Sequence, residues 1–212
     1  MTKIFTIITL FTFFIKRQDI SNYDSVKIGS QKWMKLNLDK KTFNNGDIIP
    51  EVKNQADWIK YGQEGKPAMC YYSNLKTNGK TNGALYNFWA IKDERGLAPN
   101  GWHIPSETEL NELMNFTEDE SVDIGAYYLK DSVGWNEKDK SKNSYGFNAN
   151  PSGYRYKDGK FFALGKQATW WTITTQFNSN EAWYFSMQQN VKQIIKFHSS
   201  FINGYAVRCI KD

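Results

Sequence analysis

Two runs decide the fold: Ala168-Thr169-Trp170-Trp171-Thr172-Ile173-Thr174 and Ala182-Trp183-Tyr184-Phe185-Ser186-Met187. Both are rich in β-branched and aromatic residues and lack Gly and Pro, the composition of strands on a packed sheet. In the second, alternation puts Trp183, Phe185 and Met187 on one face and Ala182, Tyr184, Ser186 and Gln188 on the other. The first set is the expected core face. Val191 to Phe197 and Tyr205 to Ile210 extend the strand-like character to the C-terminus. Upstream, Tyr156-Lys157-Asp158-Gly159-Lys160-Phe161 carries the Asp-Gly pair that suits a tight hairpin turn.

Working back toward the N-terminus, the pattern changes from period two to helical spacing. In Pro105-Ser106-Glu107-Thr108-Glu109, Ser106 is placed to cap the first amides of a helix, and Glu109 to bond back to it. The apolar stripe Leu110, Leu113, Met114 follows, with an end near Phe116 to Thr117. Gly83 to Ile91 has Leu85, Phe88 and Trp89 at helical spacing and predicts a second, mostly buried helix. Val26-Lys27-Ile28 and Lys32 to Leu36 predict a hairpin around Gly29-Ser30, and Asn44-Asn45-Gly46-Asp47 a turn. The expected class is therefore α+β, with two helices in the first half packed on antiparallel strands concentrated in the second. One domain over residues 25–212 accounts for the 212-residue chain, after a polar linker at 18–24.

Residues 1–17 have a different character. Ile4 to Ile15 is an unbroken run of Ile, Phe, Leu and Thr behind Lys3, the layout of a signal peptide. The alternative is an N-terminal strand or helix that stays attached. A bilayer-spanning helix needs about 20 apolar residues, so the run predicts export without stable membrane insertion. No Cys lies near residue 20, which argues against a lipoprotein. The formal net charge of +5 falls to +2 without this segment, which holds three basic residues and no acid. Only four of the 27 basic residues are Arg, the side chain best suited to bases and phosphates. Nucleic acid is not an expected partner, and Lys138 to Lys142, interrupted by Asp139, reads as a solvated loop.

Several segments, in order and spacing, resemble the Fibrobacter succinogenes major paralogous domain. They are Ile28-Gly29-Ser30-Gln31-Lys32-Trp33-Met34 with Asn37-Leu38, Asn45-Gly46-Asp47 with Ile49-Pro50, and Gly83-Ala84-Leu85-Tyr86-Asn87. Pro99-Asn100-Gly101-Trp102-His103-Ile104-Pro105, Gly153-Tyr154-Arg155, Trp170-Trp171, Ala182-Trp183-Tyr184 and Gly204-Tyr205-Ala206-Val207-Arg208-Cys209 complete the set. The resemblance implies a secreted or surface-exposed bacterial protein with a C-type-lectin-like fold close to that of formylglycine-generating enzyme. It also implies that Trp33, Trp102, Gly153, Tyr154, Arg155, Trp170, Trp171, Trp183 and Arg208 are structural framework. The family often has Cys where this chain has Ala98, a natural partner for Cys209. Without it, Cys70 and Cys209 are either a disulfide across the domain or two buried small apolar side chains.

No catalytic constellation is legible, and the chain is not expected to be an enzyme. The two Cys do not match the reactive arrangement of the formylglycine-generating enzyme. His103 sits in a segment that the resemblance makes structural, and His198-Ser199-Ser200 indicates no third partner. Cys70, His103, His198 and Cys209 lack the close spacing of zinc ligands. Gly79 and Gly83 do not continue into a phosphate loop.

Recognition remains. The C-terminal half mixes rings with amides, which suit a glycan or a surface protein. The expected contact residues are Asn178, Asn180, Glu181, Tyr184, Gln188 and Asn190, from the loop Thr175 to Glu181, the outward side of the next strand and the turn at its end. No resident cofactor is expected. A calcium-dependent variant would draw oxygen ligands from Asn178, Asn180 and Glu181, and a purely structural or assembly role is the remaining alternative.

Overall fold

The computed structural model describes residues 23–117, 124–136 and 141–212. The expected signal peptide at 1–17, most of the linker and Lys138 to Lys140 lie outside the described residues. Tyr23 and Asp24, the end of that linker, already belong to the domain: Tyr23 packs edge-on to Trp102 at 6.0 Å, and Asp24 accepts a bond from the Lys35 amide.

The chain begins with strands β1 (Ser25–Ile28) and β2 (Gln31–Met34), then helix α1 (Gln55–Gln63) and strand β3 (Met69–Cys70). Next come α2 (Thr77–Asn82), β4 (Leu85–Tyr86), α3 (Phe88–Ile91), β5 (Trp102–His103), α4 (Glu107–Thr117) and α5 (Gly125–Leu129). The remainder is β: β6 (Ser152–Arg155), β7 (Phe161–Leu164), β8 (Gln167–Thr175), β9 (Glu181–Gln188), β10 (Ile195–Ser200) and β11 (Ile210–Lys211). Pairings between these strands are antiparallel, in sheets ordered β1-β2-β11-β5, β10-β9-β8, β3-β4 and β6-β7. The class is α+β.

The strongly patterned segments fold as the sequence predicts. The first hairpin pairs Ile28 with Gln31, and the Asp-Gly hairpin closes with the Tyr156 amide on the Lys160 carbonyl at 2.8 Å. At α4, the Ser106 amide donates to Glu109 Oε2 (2.8 Å) and the Glu109 amide to Ser106 Oγ (3.2 Å), the reciprocal bonds of a capping box. Strands β8 and β9 pair Trp170 with Phe185 and Trp171 with Tyr184, then shift register between Trp171 and Thr175. The irregularity serves α4: Ile173 donates to the Pro105 carbonyl (2.8 Å), and Thr174 Oγ1 accepts from the Glu107 amide (2.9 Å).

Four expectations are corrected. Gly83 to Ile91 is a two-residue strand followed by one helical turn, because Ala84 and Tyr86 donate to the Leu38 and Tyr205 carbonyls and Asn87 caps the turn through the Ala90 amide. Its apolar spacing reflects burial on all sides. Val191 to Phe197 becomes strand only at Ile195, since Asn190 takes a left-handed φ of 59° and Val191 bonds back to Gln188. Tyr205 to Ile210 is no continuous strand. Gly204 bridges Arg155, Tyr205 bridges Tyr86, Ala206 bridges Trp170, and Ile210 pairs with both Trp33 and His103, so this segment joins all four sheets. Finally, helices α1, α2 and α5 bring the described helices to five. For α1 the signal was readable: Asn54 caps the Ala56 and Asp57 amides, and Trp58 is buried below.

The sheet β10-β9-β8 is covered on both faces. Phe185 and Met187 lie in one apolar cluster with Trp33 and Trp170, while Ala182 lies in a second with Trp171 and Tyr205. The expected alternation therefore holds for direction but not for exposure: Ser186 is buried, and Trp183 is half-buried under Lys196. Most of the other framework residues are buried. Arg155 donates to the carbonyls of Val52 (2.6 Å), Lys53 (2.9 Å) and Gly159 (2.9 Å), and lies over Trp58. Arg208 donates to Asn37 Oδ1 (2.7 Å) and to the Phe147 and Asn148 carbonyls, beside Trp170. Burial lowers the pKa of both guanidiniums, while the surrounding oxygens favour the charged form. At Gly153, φ is 65° and a Cβ would fall 2.6 Å from the Phe162 carbonyl oxygen, which explains a glycine before Tyr154. Cys70 and Cys209 are free thiols, buried in different clusters, and burial pushes each up to about 12.

Candidate functional site

The β8–β9 loop is a tight hairpin with fixed geometry. Gln176 donates to the Glu181 carbonyl (2.8 Å), Ser179 Oγ to the Gln176 carbonyl (3.2 Å), and Asn178 takes a left-handed φ of 52°. The Asn180 carbonyl accepts from the Phe201 amide at 2.9 Å, tying the loop to the segment after β10. Phe177 at its tip is 85% exposed. A side chain of that size is held in water by a closed turn, which costs apolar hydration that folding normally removes.

Beside the loop lies an open cleft of about 520 Å³, walled by Thr175 to Asn180, Trp89, Lys92 and Phe201. Its floor is rigid. Trp89 Nε1 donates to the Gly62 carbonyl (2.8 Å), Phe201 stacks on Phe88 at 4.5 Å, and Trp89 meets Phe201 edge-on at 5.3 Å. Lys92 follows α3 and carries its Nζ 5.0 Å from the Trp89 ring centre and 5.7 Å from that of Phe201. Rings, amides, two hydroxyls and one cation thus converge on one open concavity, a set that matches hydroxyl-rich or mixed surfaces.

The six expected contact residues fall into separate places. Asn178 and Asn180 line the cleft. Glu181 starts β9, and its carboxylate is held by His198 Nδ1, away from the two asparagines on the Trp183 face. Tyr184 is half-buried on the opposite face, 5.0 Å from the Tyr205 ring. From Tyr205 the rings continue through Tyr154 (5.8 Å) to Phe162 (5.9 Å) and Tyr156 (6.2 Å), an aromatic strip that reaches the surface at 38 to 40% exposure. Gln188 and Asn190 sit at the far end of β9, about 23 Å from Glu181 at the usual rise of a strand. Phe177, Trp89, Lys92 and Phe201 were not among the expected residues. Phe177 stood out only as a ring within an Asn and Ser turn, Trp89 read as helix core, and nothing in the sequence points to the other two.

Both histidines contact carboxylates. His103 Nδ1 lies 2.6 Å from Asp212 and its Nε2 2.7 Å from Glu109. Burial acts to lower the His103 pKa, but these two bonds to carboxylates outweigh it and raise the value. Cys70, His103, His198 and Cys209 do not gather, and among the described residues no group of three or more His, Cys, Asp or Glu could hold a metal ion. No helix among the described residues is long and apolar enough to cross a membrane.

Compared with known proteins, residues 26–211 match the sequence model of the Fibrobacter succinogenes major domain. The chain belongs to that family. No curated protein and no solved structure matched.

Proposed function

We propose that this member of the Fibrobacter succinogenes major domain family is an exported, non-catalytic recognition module of C-type-lectin-like fold. It binds a glycan or a protein surface through the Trp89 cleft and the β8–β9 loop beside it. The observation that carries this reading is Phe177, 85% exposed on a hydrogen-bonded turn next to a fixed aromatic floor. A ring presented in this way adds contact area at small entropic cost when a ligand arrives. The lectin-like assignment draws support from the family and from the α+β order of the chain. The non-catalytic assignment draws support from two histidines bound to carboxylates and two thiols sealed in the core.

The test is a broad glycan array probed with the purified protein, with calcium and again with chelator. The expected result is a set of hits that Phe177→Ala weakens at least tenfold while the fold, followed by circular dichroism, is unchanged. Hits retained by Phe177→Ala would overturn the site. Folded protein with no hits in either condition would overturn the glycan reading and leave the protein surface. Chelator-sensitive hits would bring Asn178, Asn180 and Glu181 back as calcium ligands. Export is checked separately: Met1 intact on protein in the cytosol overturns it.

A further inference from the structure

We infer that the ligand of the Trp89 cleft is an acidic sugar, a uronic acid residue whose carboxylate pairs with Lys92 while its ring packs on the aromatic floor. The inference rests on the recognition reading above and names its ligand class.

Among the described residues, Lys92 is the only charged side chain lining this cleft; the others are aromatic, amide or hydroxyl. Some surface lysines are paired, such as Lys66 with Glu64, Lys196 with Glu107 and Lys35 with Asp24. Lys92 forms no ion pair among the described residues, and its Nζ instead faces the Trp89 and Phe201 rings. Two nearby acids are committed elsewhere, and Glu94, two residues on, forms no ion pair with Lys92. Both oxygens of Asp93 bind Arg95, and Glu181 binds His198. The cleft therefore presents one positive charge beside the Trp89 and Phe201 rings, and Asn178 and Asn180 also line it.

One ammonium with side-chain amides favours a singly charged anion. A phosphate or sulfate is best matched by an Arg fork or by several amides of a helix start. This site has neither: its cation is a single ammonium, and α3 spans only four residues. A monovalent carboxylate fits one lysine. A pyranose ring presents C–H groups to an indole and hydroxyls to the amides, so an acidic sugar satisfies all three chemistries in one residue.

The experiment is titration calorimetry of the protein with trimers of galacturonate, glucuronate and mannuronate, each beside its carboxyl-reduced neutral counterpart. The expected result is that at least one acidic trimer binds tenfold or more tightly than its neutral counterpart, with affinity falling as salt is added. Lys92→Gln is expected to collapse that acid-to-neutral ratio to near one, and Lys92→Arg to preserve most of it. Equal affinity for acidic and neutral trimers, or a ratio unchanged in Lys92→Gln, overturns the acidic class. In that case, loss of binding in Phe177→Ala keeps the recognition site. Binding of neither series, together with glycan-array hits lost in Phe177→Ala, also overturns the acidic class and leaves the site standing. Hits indifferent to Phe177→Ala remove both.

Discussion

The first half of the domain and the sheet β8–β9–β10 are held by different means. From Asn37 to Gly101 the regular elements other than the nine-residue α1 are short: β3 and β4 have two residues each, α3 four and α2 six. Their backbone groups pair with distant backbone, as Ala84 with Leu38 and Tyr86 with Tyr205, and buried amide side chains act as hubs among them. Asn87 accepts from the Ala68 and Ala90 amides and donates to the Lys66 carbonyl, while Asn37 Oδ1 receives Trp170 and Arg208. In the sheet, by contrast, the ladder satisfies most of the backbone, and each side chain adds at most a single bond, as Thr172 does to the Trp183 carbonyl. The difference teaches where single substitutions bite. A ladder loses one bond when one side chain changes, whereas a polar hub leaves several buried partners stranded at once.

The largest effect is therefore expected at Arg208→Met, which takes the guanidinium donor from the Phe147 and Asn148 carbonyls and leaves Asn37 Oδ1 with Trp170 alone. Denaturant unfolding should show a loss of about 3 kcal/mol. A loss below about 1 kcal/mol would break the comparison, since the hub would then matter no more than a ladder bond. Next comes Asn87→Ala, which removes three bonds around a one-turn helix; a thermal melt should register roughly 2 kcal/mol. In the sheet, Thr172→Val keeps the shape and loses only the bond to the Trp183 carbonyl. About 1 kcal/mol is expected, and a cost equal to that of Arg208→Met would erase the distinction.

The smallest effect concerns the chain's end. His103, between Asp212 and Glu109, has a raised pKa in the folded state because its bonds to the two carboxylates outweigh the opposing effect of burial. Glu109 is lowered despite burial, by Ser106 and then His103, so both partners favour the charged pair. A raised histidine stabilises fully below its unfolded pKa of about 6.5 and loses that contribution as pH rises through the higher folded value. The side chain is 39% exposed, and solvent screening keeps the effect within about 1 kcal/mol. Stability measured from pH 5.5 to 8.5 should fall in the wild type more than in Asp212→Asn. Parallel profiles would remove the ion pair from the account.

Legibility followed range along the chain. Ser106 and Glu109, Asp158-Gly159, and the Trp170 and Trp183 runs were readable because their partners lie within a few residues or on the adjacent strand. The Gly83 to Ile91 segment misled, because all-round burial places apolar residues at helical spacing without a helix. Within the candidate site, the loop with Asn178 and Asn180 was legible from its turn residues. The floor was not, since Trp89 and Phe201 are brought together from positions with no shared pattern.

The sequence by itself determined the α+β class, the hairpin turns and the capped helix, all of which rest on local spacing and residue type. Only the tertiary structure decided that Glu181, Tyr184 and Gln188 are parted from the Asn178 loop. It alone also assembled the Trp89 cleft, and gave Arg155 and Arg208 carbonyl and amide oxygens in place of carboxylates. The physical reason is distance along the chain. Arg155 reaches Val52 across 103 positions and Arg208 reaches Asn37 across 171, and no local preference records which oxygen such a side chain will meet.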